Sequence, residues 1–539
     1  MLIEFASKKK AKPAKAKSSH TKVSKKKPAI TSGGHSHTTT KKKATKNVGG
    51  SHTKPAKKKK APSSKIKKPA PPKIQVTPPV QRQDIQVVAP AAAAAHFTSM
   101  DELLTFMTGI DGTGRVNAAV DDAVEHGFAP QDYHPASYPA TINLHKFGTT
   151  QVGTSGTAYY SFDAASGWSE AEKSTFRMSM ALWSNVANVT FVETANQPSN
   201  GIVFKRGTDG RAVTYSTSTK AYAGGTSINN AIGNITISMD TKVWGAIDFA
   251  NNYTFQALTH EIGHAIGLHH SGEYNGTVDA ASQQNGPYDN RQWTIMSYIN
   301  PSDTRAKYYG SSAMPGTRWQ STASTPMVLD VAAAQRIYGK PVSGATQGGQ
   351  TFGFNSNVAG PAHNAFDFNV NRTPVVTIYD AGANNTLDLS GWNAGATISL
   401  VPGTFTSASA DGRATNNIGI AFDTKIDHVV GTRGNDTIVI NPNLATTMTG
   451  AGGNDIFEAS ARGFNNAMFT DLNWGDTIHF TDANMATFGF ADYGNSLVFG
   501  DERGFYNMAF GNDPLGTFIK TADGRGGVDL TLSPSSAFA

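Results

Sequence analysis

The hydrophobic positions change their spacing along the chain, and the first pattern runs from about residue 99 to residue 340. Residues 100–107 have a short helical pattern, and residues 169–186 have the pattern of an amphipathic helix with Ser169 as its N-cap and Phe176, Met180, Leu182 and Trp183 on its apolar side. Short β-like runs alternate with these helices. They are predicted at 159–162, 189–192, 201–204 and 235–238. This order predicts a mixed domain of helices and strands.

A second pattern begins at about residue 341, where the helical spacing disappears. Gly, Asn, Thr and Asp dominate, and short apolar runs such as 375–379, 397–400 and 437–440 are separated by residues that favour turns. The sequence therefore predicts an all-β, repeat-like domain after residue 341.

The first 96 residues have neither pattern, and they carry most of the positive charge. They hold 24 of the 47 Lys and Arg residues and only two of the 40 acidic ones, a formal charge of +22, so the rest of the chain carries −15. A segment this polar cannot bury enough surface to offset the entropy of ordering it, and we predict a disordered arm and linker over 1–96. The arm is either a ligand for anionic polymers, such as nucleic acid or acidic polysaccharide, or a solvated spacer.

Three absences narrow the possible chemistry. The chain has no cysteine, which excludes disulfides and thiolate metal sites. It has no run of about 18 apolar residues, so no membrane span is predicted. The first residues lack the apolar segment of a secretory signal peptide, so we expect export, if it occurs, to use another route.

The segment 260–270 reads HEIGHAIGLHH and carries the most specific motif of the chain. His260 and His264 are four residues apart, which places both imidazoles on one helix face, where they can share a zinc ion beside Glu261. His270 can join them only if the helix stops and the chain turns, and Gly267 is the residue that permits such a turn. The spacing predicts a zinc site with three histidine ligands and an open position for catalysis.

Two further residues complete this prediction. His269 competes with His270 as the third ligand, but only His270 has the motif spacing, and we assign His269 to the surface. The segment 293–298 reads WTIMSY, and Met296 is expected in a tight turn beneath the zinc rather than in an ordinary core position.

HEIGHAIGLHH followed by MSY resembles the serralysin family, metzincin zinc proteases that bacteria secrete. Segments 183–191, 326–339, 353–357 and 379–382 also resemble that family, so the similarity covers about residues 155–460. The resemblance implies one catalytic zinc ion and Glu261 as the general base. It also implies that Tyr298 binds zinc in the resting enzyme and then supports the transition state.

The segments 431–438 and 450–457 resemble the RTX nonapeptide, in which glycines shape a turn and an aspartate supplies oxygen to calcium. An ordinary cluster of turn residues is the alternative reading. Thr432 departs from the pattern at a glycine position, and Asn385 and Asp427 depart from the usual Asp and Glu. The resemblance implies a few structural calcium ions with these candidate ligands: Asp380, Gly382, Asp427, Gly431, Gly434, Asp436, Gly450, Gly452 and Asp455.

The predicted fold class is an α+β metzincin catalytic domain followed by an all-β parallel β-roll of the RTX type, after a disordered basic arm. The predicted division is 1–96 for the arm, 97–150 for a possible prosegment and N-terminal part, 151–340 for the catalytic domain, and 341–539 for the calcium-binding roll and C-terminal secretion region. A removable prosegment is expected to reach about residue 110. The edge strands that receive substrate are expected at 188–191 and 228–239.

The predicted function is a monomeric, extracellular zinc endopeptidase that leaves the cell through the type I secretion machinery and cleaves proteins or peptides. One alternative is a calcium-dependent adhesin or polyanion-binding protein with a relic protease domain. Loss of a zinc ligand would favour that alternative, but the sequence retains all of them. A second alternative is a metzincin of the astacin or matrixin kind, against which the absence of cysteine and the RTX turns argue.

Overall fold

The first two helices begin at serines that cap them. The computed structural model describes residues 97–116, 145–216, 223–224, 227–228, 233–314 and 316–534, and the predictions for the basic arm lie outside these residues. Helix α1 covers Met100–Thr108 and α2 covers Glu170–Val186. Ser99 and Ser169 each accept a hydrogen bond from the backbone of a glutamate that bonds back to the cap, and this capping box satisfies two helix N–H groups. Both predicted helices are confirmed.

The described residues between 97 and 340, called the catalytic half after its predicted role, contain a five-stranded sheet in the order β2-β1-β3-β7-β4. Only β4 runs antiparallel to its neighbour. The four predicted strands are confirmed, and a fifth strand, β4, was not predicted. The strands are β1 Gly156–Phe162, β2 Val189–Glu193, β3 Ile202–Arg206, β4 Ala212–Ser216 and β7 Ile235–Met239, and a separate pair is formed by β5 Ala223–Gly224 and β6 Ser227–Ile228.

The helix that carries the HEIGH segment lies in the centre of this half. Its residues Leu258 and Ile262 are fully buried, and Trp183 of α2 donates a hydrogen bond to the carbonyl of Thr259 at 3.0 Å. The segment 326–339, one of those that resemble the serralysin family, contains a helix over Val328–Tyr338. The helices that follow β7 are α3 Thr241–Trp244, α4 Asn252–Ala265, α5 Ala280–Gln283 and α6 Val328–Tyr338.

Helix α1 belongs to the core of the catalytic half. Phe106, Met107 and Ile110 are completely buried, and the Arg336 guanidinium of α6 donates to the Ile110 carbonyl at 2.9 Å. Removal of this segment would expose apolar surface that the other helices bury. A prosegment that reaches about residue 110 would therefore include α1, and its removal stays a prediction.

The C-terminal half is a roll in which most short strands up to residue 480 pair in parallel, with Thr437 opposite Ile456 and Ile456 opposite Thr477. The strands at 489–492, 496–501, 517–522 and 528–533 make antiparallel pairs. One sheet has the order β20-β21-β22-β18-β16-β14-β10-β8, the other the order β11-β15-β17-β19-β24-β23, and a smaller sheet the order β12-β13-β9. The elements are β8 Thr351–Gly353, α7 His363–Phe366, β9 Val376–Ile378, β10 Thr386–Asp388, β11 Thr397–Ser399, β12 Phe405–Thr406, β13 Ile418–Ile420, β14 His428–Val430, β15 Thr437–Val439, β16 Thr447–Thr449, β17 Ile456–Ala459, β18 Ala467–Phe469, β19 Thr477–Phe480, β20 Gly489–Asp492, β21 Ser496–Asp501, β22 Gly504–Phe510, β23 Thr517–Ala522 and β24 Val528–Ser533.

The two halves share one hydrophobic cluster. Met178 and Leu182 of α2 and Phe255 of α4 belong to the same buried cluster as Phe352 and Ile378 of the roll. The catalytic half and the roll are therefore packed against each other through apolar side chains. Within the described residues, no helix is both long enough and apolar enough to span a bilayer.

Candidate metal centre and active site

Three histidine side chains converge where α4 ends. Nε2 of His270 lies 3.2 Å from Nε2 of His260 and 3.0 Å from Nε2 of His264. The chain reverses at Gly267, whose φ is 104°, and a Cβ there would lie 2.4 Å from the carbonyl oxygen of His145. The turn that brings His270 back to the helix therefore requires glycine, as the spacing predicted.

The hydrogen bonds of these histidines turn their free nitrogens toward one point. Nδ1 of His260 donates to the Ile295 carbonyl and Nδ1 of His264 to the Leu268 carbonyl, both at 2.8 Å, so Nε2 of each ring is the unprotonated nitrogen. Burial lowers the pKa of His260 to about 4 and lowers the pKa of His264 and His270 further below the ordinary value, which keeps all three rings neutral.

This donor set fits zinc. Nitrogens bound at about 2.0–2.1 Å in a tetrahedral site lie roughly 3.4 Å apart, close to the separations seen here. Among the described residues, these histidines are the one group of three or more His, Cys, Asp or Glu side chains close enough to hold a metal together. Three ligands of this kind leave a fourth position open, as catalytic zinc sites require.

Glu261 lies beside the three histidines and is almost fully buried, with 6 % of its surface exposed. Its Oε2 accepts a hydrogen bond of 2.8 Å from the hydroxyl of Thr214 on β4. Burial raises the pKa of Glu261 to about 7, and the bonds from Thr214 oppose that rise. Thr214 was not predicted as a site residue, because nothing in the motif indicates which strand faces the helix.

Tyr298 stands over the same point. Its ring centroid is 4.6 Å from that of His270 and 5.8 Å from that of His260. Burial raises the pKa of Tyr298 to about 12, so its hydroxyl is protonated at neutral pH and can donate a hydrogen bond. The structure thus brings His260, His264, His270, Glu261 and Tyr298 together.

Met296 lies beneath the histidines and is completely buried. A Cβ added at Gly263 of α4 would lie 2.8 Å from the Met296 sulfur. The turn is fixed by the buried carboxylate of Asp330, which accepts bonds from the Thr294 hydroxyl and the Ile295 backbone at 2.5 and 2.7 Å. Met296 therefore takes the predicted place, and Gly263 is the residue that makes room for it.

We expect Gly263→Ala to destabilise the protein because the added methyl group collides with Met296 in a packed core. Overpacking of this kind costs about 1–3 kcal/mol, and the melting temperature should fall by roughly 3–10 °C. Differential scanning calorimetry checks this, with Gly489→Ala as the matched control because a Cβ there meets nothing within 4 Å. Equal melting temperatures for the two variants would contradict the packing described.

A second buried carboxylate connects the His270 segment to the methionine turn. Oδ1 of Asp289 accepts hydrogen bonds from the hydroxyls of Ser271, Tyr274 and Ser297 at 2.6, 2.6 and 2.8 Å. The backbone N–H of Tyr298 in turn donates to the Tyr274 hydroxyl at 3.3 Å. This network fixes both Tyr298 and the loop after His270, and its members are too scattered in sequence to be recognised as a motif.

A cleft of about 830 Å³ opens over the site. Its walls include residues 210–215, Trp244, Tyr253, Arg291 and Tyr298, with His260 and Glu261 at its base. The strand along this cleft is β4, whereas β2 lies at the opposite edge of the sheet and β7 lies inside it. Residues 188–191 and 235–239, which were expected to receive substrate, do not line this cleft, and residues 229–232 of that expectation lie outside the described part of the chain.

His269 differs from its prediction in one respect. As expected, His269 lies outside the metal-binding group, but it is half-buried rather than on the surface. Its backbone N–H donates to the Met107 carbonyl of α1 at 2.9 Å, which places this part of the turn beneath α1.

The candidate calcium ligands lie in two places in the roll. The first contains Asp380, Gly382 and Asp427: the Gly382 N–H donates to Asp380 Oδ1 at 2.7 Å, and Asp427 Oδ2 accepts from the Asn385 N–H at 3.1 Å. The second is a ladder of turns that contains Gly431, Gly434, Gly450 and Gly452 with two carboxylates. In that ladder the N–H of Asp436 donates to Oδ1 of Asp455 at 2.8 Å.

The departures from the repeat pattern have visible consequences. The Thr432 hydroxyl donates to Asp436 Oδ1 at 2.7 Å, and the Asn385 amide donates to the carbonyls of Gly382 and Lys425 at 3.3 and 3.0 Å. The ladder also continues beyond the two turns found in the sequence, since Asp476 Oδ1 accepts from the N–H of Asp455 at 2.9 Å. The third turn, DLNWGDTI at 471–478, lacks most glycines and was missed, although it repeats the Asp-Thr-Ile of 436–438.

Two family profiles match the chain in the order of its two halves. The profile described as Matrixin matches residues 156–285, and the profile described as Peptidase M10 serralysin C terminal matches residues 344–485. The first covers the five-stranded sheet and the histidine motif, and the second covers most of the roll.

Individual proteins are similar across both halves. Metallopeptidase AprA of Pseudomonas marginalis is 29 % identical over 372 residues, which are 67 % of this chain and 73 % of that protein. Serralysin B of Dickeya chrysanthemi is 26 % identical over 376 residues, with the same shares. Serralysin C of Dickeya chrysanthemi is 34 % identical over 281 residues, 50 % of this chain and 53 % of that protein.

Proposed function

This chain is a serralysin-like metzincin zinc metalloprotease, and we propose that it is a secreted endopeptidase that hydrolyses peptide bonds of extracellular proteins. One observation carries the proposal: three Nε2 atoms converge within about one zinc coordination sphere, directly beside a buried glutamate at the base of an open cleft. The complete ligand set disfavours a relic protease domain in an adhesin or polyanion-binding protein.

The residues of the site have distinct proposed roles. His260, His264 and His270 hold one zinc ion, which when bound supplies a Lewis acid that polarises the scissile carbonyl and favours ionisation of water. Glu261 takes the proton of the attacking water and delivers it to the leaving amine. Tyr298, held protonated by burial, donates a hydrogen bond to the oxygen on which negative charge develops. Met296 has a structural role beneath the ligands.

The substrate would lie along β4 in an extended conformation. A peptide that adds to a free sheet edge gains main-chain hydrogen bonds regardless of its side chains. The aromatic rings of Trp244 and Tyr253, stacked at 5.4 Å, and the Arg291 guanidinium are the side chains of the cleft that can discriminate between substrates.

We also propose that the roll binds calcium. Asp380 is fully buried, and no described residue donates a hydrogen bond to its Oδ2, which a cation beside Asp427 would explain. In the ladder, burial and then the negative charges of Asp476 and Asp436 raise the pKa of Asp455 to about 7, and a divalent cation between successive turns would offset both effects. The third turn extends the predicted sites.

We expect calcium to raise the melting temperature of the protein, because an ion held at 100 times its Kd contributes about 2.7 kcal/mol. Asp455→Asn should reduce this increase by half or more, whereas Asp513→Asn, an exposed aspartate outside the ladder, should leave it unchanged. Thermal unfolding of each protein in calcium and in a calcium-selective chelator measures the difference. An unchanged increase in Asp455→Asn would count against calcium in the ladder.

The proposed division of the chain is 97–150 for a possible prosegment and N-terminal part, 151–340 for the catalytic domain, and 341–539 for the roll and a C-terminal secretion region. Helix α1 lies before the proposed catalytic domain in sequence and packs into its core. Export through the type I machinery, a monomeric state, and binding of anionic polymers by the arm 1–96 complete the proposal. The arm's charge of +22 supports the last of these.

Digestion of casein by the purified protein tests the proposed function. Activity should require zinc, disappear with a zinc-selective chelator and return when zinc is restored, and mass spectrometry should show internal cleavages. A folded, zinc-loaded protein that cleaves neither casein nor a peptide library would contradict the proposal.

A further inference from the structure

Thr214 connects the edge strand of the cleft to the glutamate of the zinc motif. Its hydroxyl lies 2.8 Å from Oε2 of Glu261 and 2.9 Å from the backbone carbonyl oxygen of the same residue. Threonine is branched at Cβ and keeps few side-chain rotamers, so the direction of this hydroxyl is set by the strand that carries it.

The hydrogen bonds between β4 and β7 determine the direction in which the backbone N–H and C=O of Thr214 point. The N–H of Asp240 donates to the Arg211 carbonyl at 2.9 Å, and the register then pairs Ala212 with Met239 and Thr214 with Ile237. In an antiparallel ladder, hydrogen-bonded and non-hydrogen-bonded pairs alternate. Thr214, like Ala212, therefore directs its N–H and C=O away from β7 to the edge along the cleft, with which no described strand pairs.

We propose that Thr214 is a positioning residue that holds the carboxylate of Glu261 in the orientation for proton transfer. The backbone N–H and C=O of the same residue are available to bind the substrate. The inference rests on the proposed function, and it adds a residue that the zinc motif does not contain. The hydroxyl engages one carboxylate oxygen, Oε2, and so leaves the other available for the proton of the attacking water.

Thr214 also couples substrate docking to the orientation of the base. A peptide on the free edge of β4 would fix the strand at Thr214, and the hydroxyl of that residue would then be fixed against Glu261. Loss of the hydroxyl should affect the chemical step rather than the affinity for substrate, because the backbone groups that bind the peptide are unchanged.

Thr214→Val tests the inference, since it keeps the shape of the side chain and removes only the hydroxyl. We expect kcat for a peptide substrate to fall about 10-fold or more, with KM within about 2-fold of the wild type, as for the loss of a hydrogen bond to a charged group. Thr214→Ser should restore kcat to within about 3-fold of the wild type. Thr190→Val, on the opposite edge strand β2, is the matched control and should not change either constant.

Two measurements separate positioning from folding. In the Glu261→Ala background, Thr214→Val should cause no further loss of activity and should leave the Kd of a fluorescent peptide unchanged. The melting temperature and zinc content of Thr214→Val, and of Thr214→Ala as a second variant, should match those of the wild type.

Several results would overturn the inference. They are a kcat of Thr214→Val within about 2-fold of the wild type, a Thr214→Ser variant as impaired as Thr214→Val, or a defect found only in KM. An inactive wild-type protein would overturn both this inference and the proposed function. An active wild type with an equally active Thr214→Val would overturn only this one.

Discussion

Replacement of Glu261 by alanine should abolish proteolysis while zinc stays bound. The carboxylate is the only acidic side chain of the described residues that lines the base of the cleft, and it stands beside the histidines without belonging to their metal-binding group. A positioned general base contributes about 10²–10⁴-fold to a reaction rate, so we expect kcat/KM to fall by roughly 10³-fold.

Two controls accompany Glu261→Ala: a measurement of bound zinc, and replacement of a glutamate that lies away from the cleft. Zinc content by atomic absorption should remain near that of the wild type in Glu261→Ala. Glu193→Gln is the control, because Glu193 lies on β2 and pairs with Arg177 at 2.9 Å, away from the cleft. A Glu261→Ala protein that is zinc-loaded and retains a tenth of the wild-type activity would show that another group accepts the proton.

Replacement of the adjacent histidines 269 and 270 by alanine should have very different effects on zinc content and activity. His270→Ala should lose both zinc and activity, because removal of one of three protein ligands leaves two histidines and weakens the site by orders of magnitude. We expect zinc content below about a tenth of the wild-type value after dialysis, and activity reduced by more than about 10³-fold.

His269→Ala should retain zinc and most of its activity, since His269 lies outside the metal-binding group. Its half-buried position beneath α1 predicts a modest loss of stability instead, about 1 kcal/mol. Zinc analysis and thermal unfolding of both variants separate the two roles. The assignment would fail if His269→Ala lost zinc and His270→Ala kept it.

Local sequence signals predicted the parts of the site that are close together in the chain. The offsets among His260, His264 and His270 define a helix and a turn, and Gly267 adopts the conformation that the turn requires. The capping serines Ser99 and Ser169 likewise predict their helices, because their partners lie three residues away.

The parts that were missed depend on contacts between distant segments. Thr214 meets Glu261 only because β4 is placed last in the sheet, and the methionine turn is reached by Asp289 from a loop and by Asp330 from the first turn of α6. No spacing rule connects such residues, since each contact is set by the topology. The position of β4 is also set by the topology, which is why the sequence did not identify this strand as the one along the cleft.

The third turn of the roll was missed for another reason. Its backbone follows the ladder of Asp436 and Asp455, but its sequence lacks most of the glycines that make the repeat recognisable. Hydrogen bonds from the neighbouring turn can hold a backbone path that the local residues alone do not indicate.

The hydrophobic cluster shared by the two halves affects the resistance of the enzyme to cleavage by other molecules of the same enzyme. A protease in solution is also a substrate, and cleavage of a folded protein proceeds through transient local opening. Phe255, five residues before the first zinc ligand, packs in the same cluster as the strands of the roll. Loosening the roll would therefore expose the segment that carries the zinc motif to self-digestion. If the roll binds calcium as proposed, the lifetime of the enzyme would depend on the calcium concentration around it.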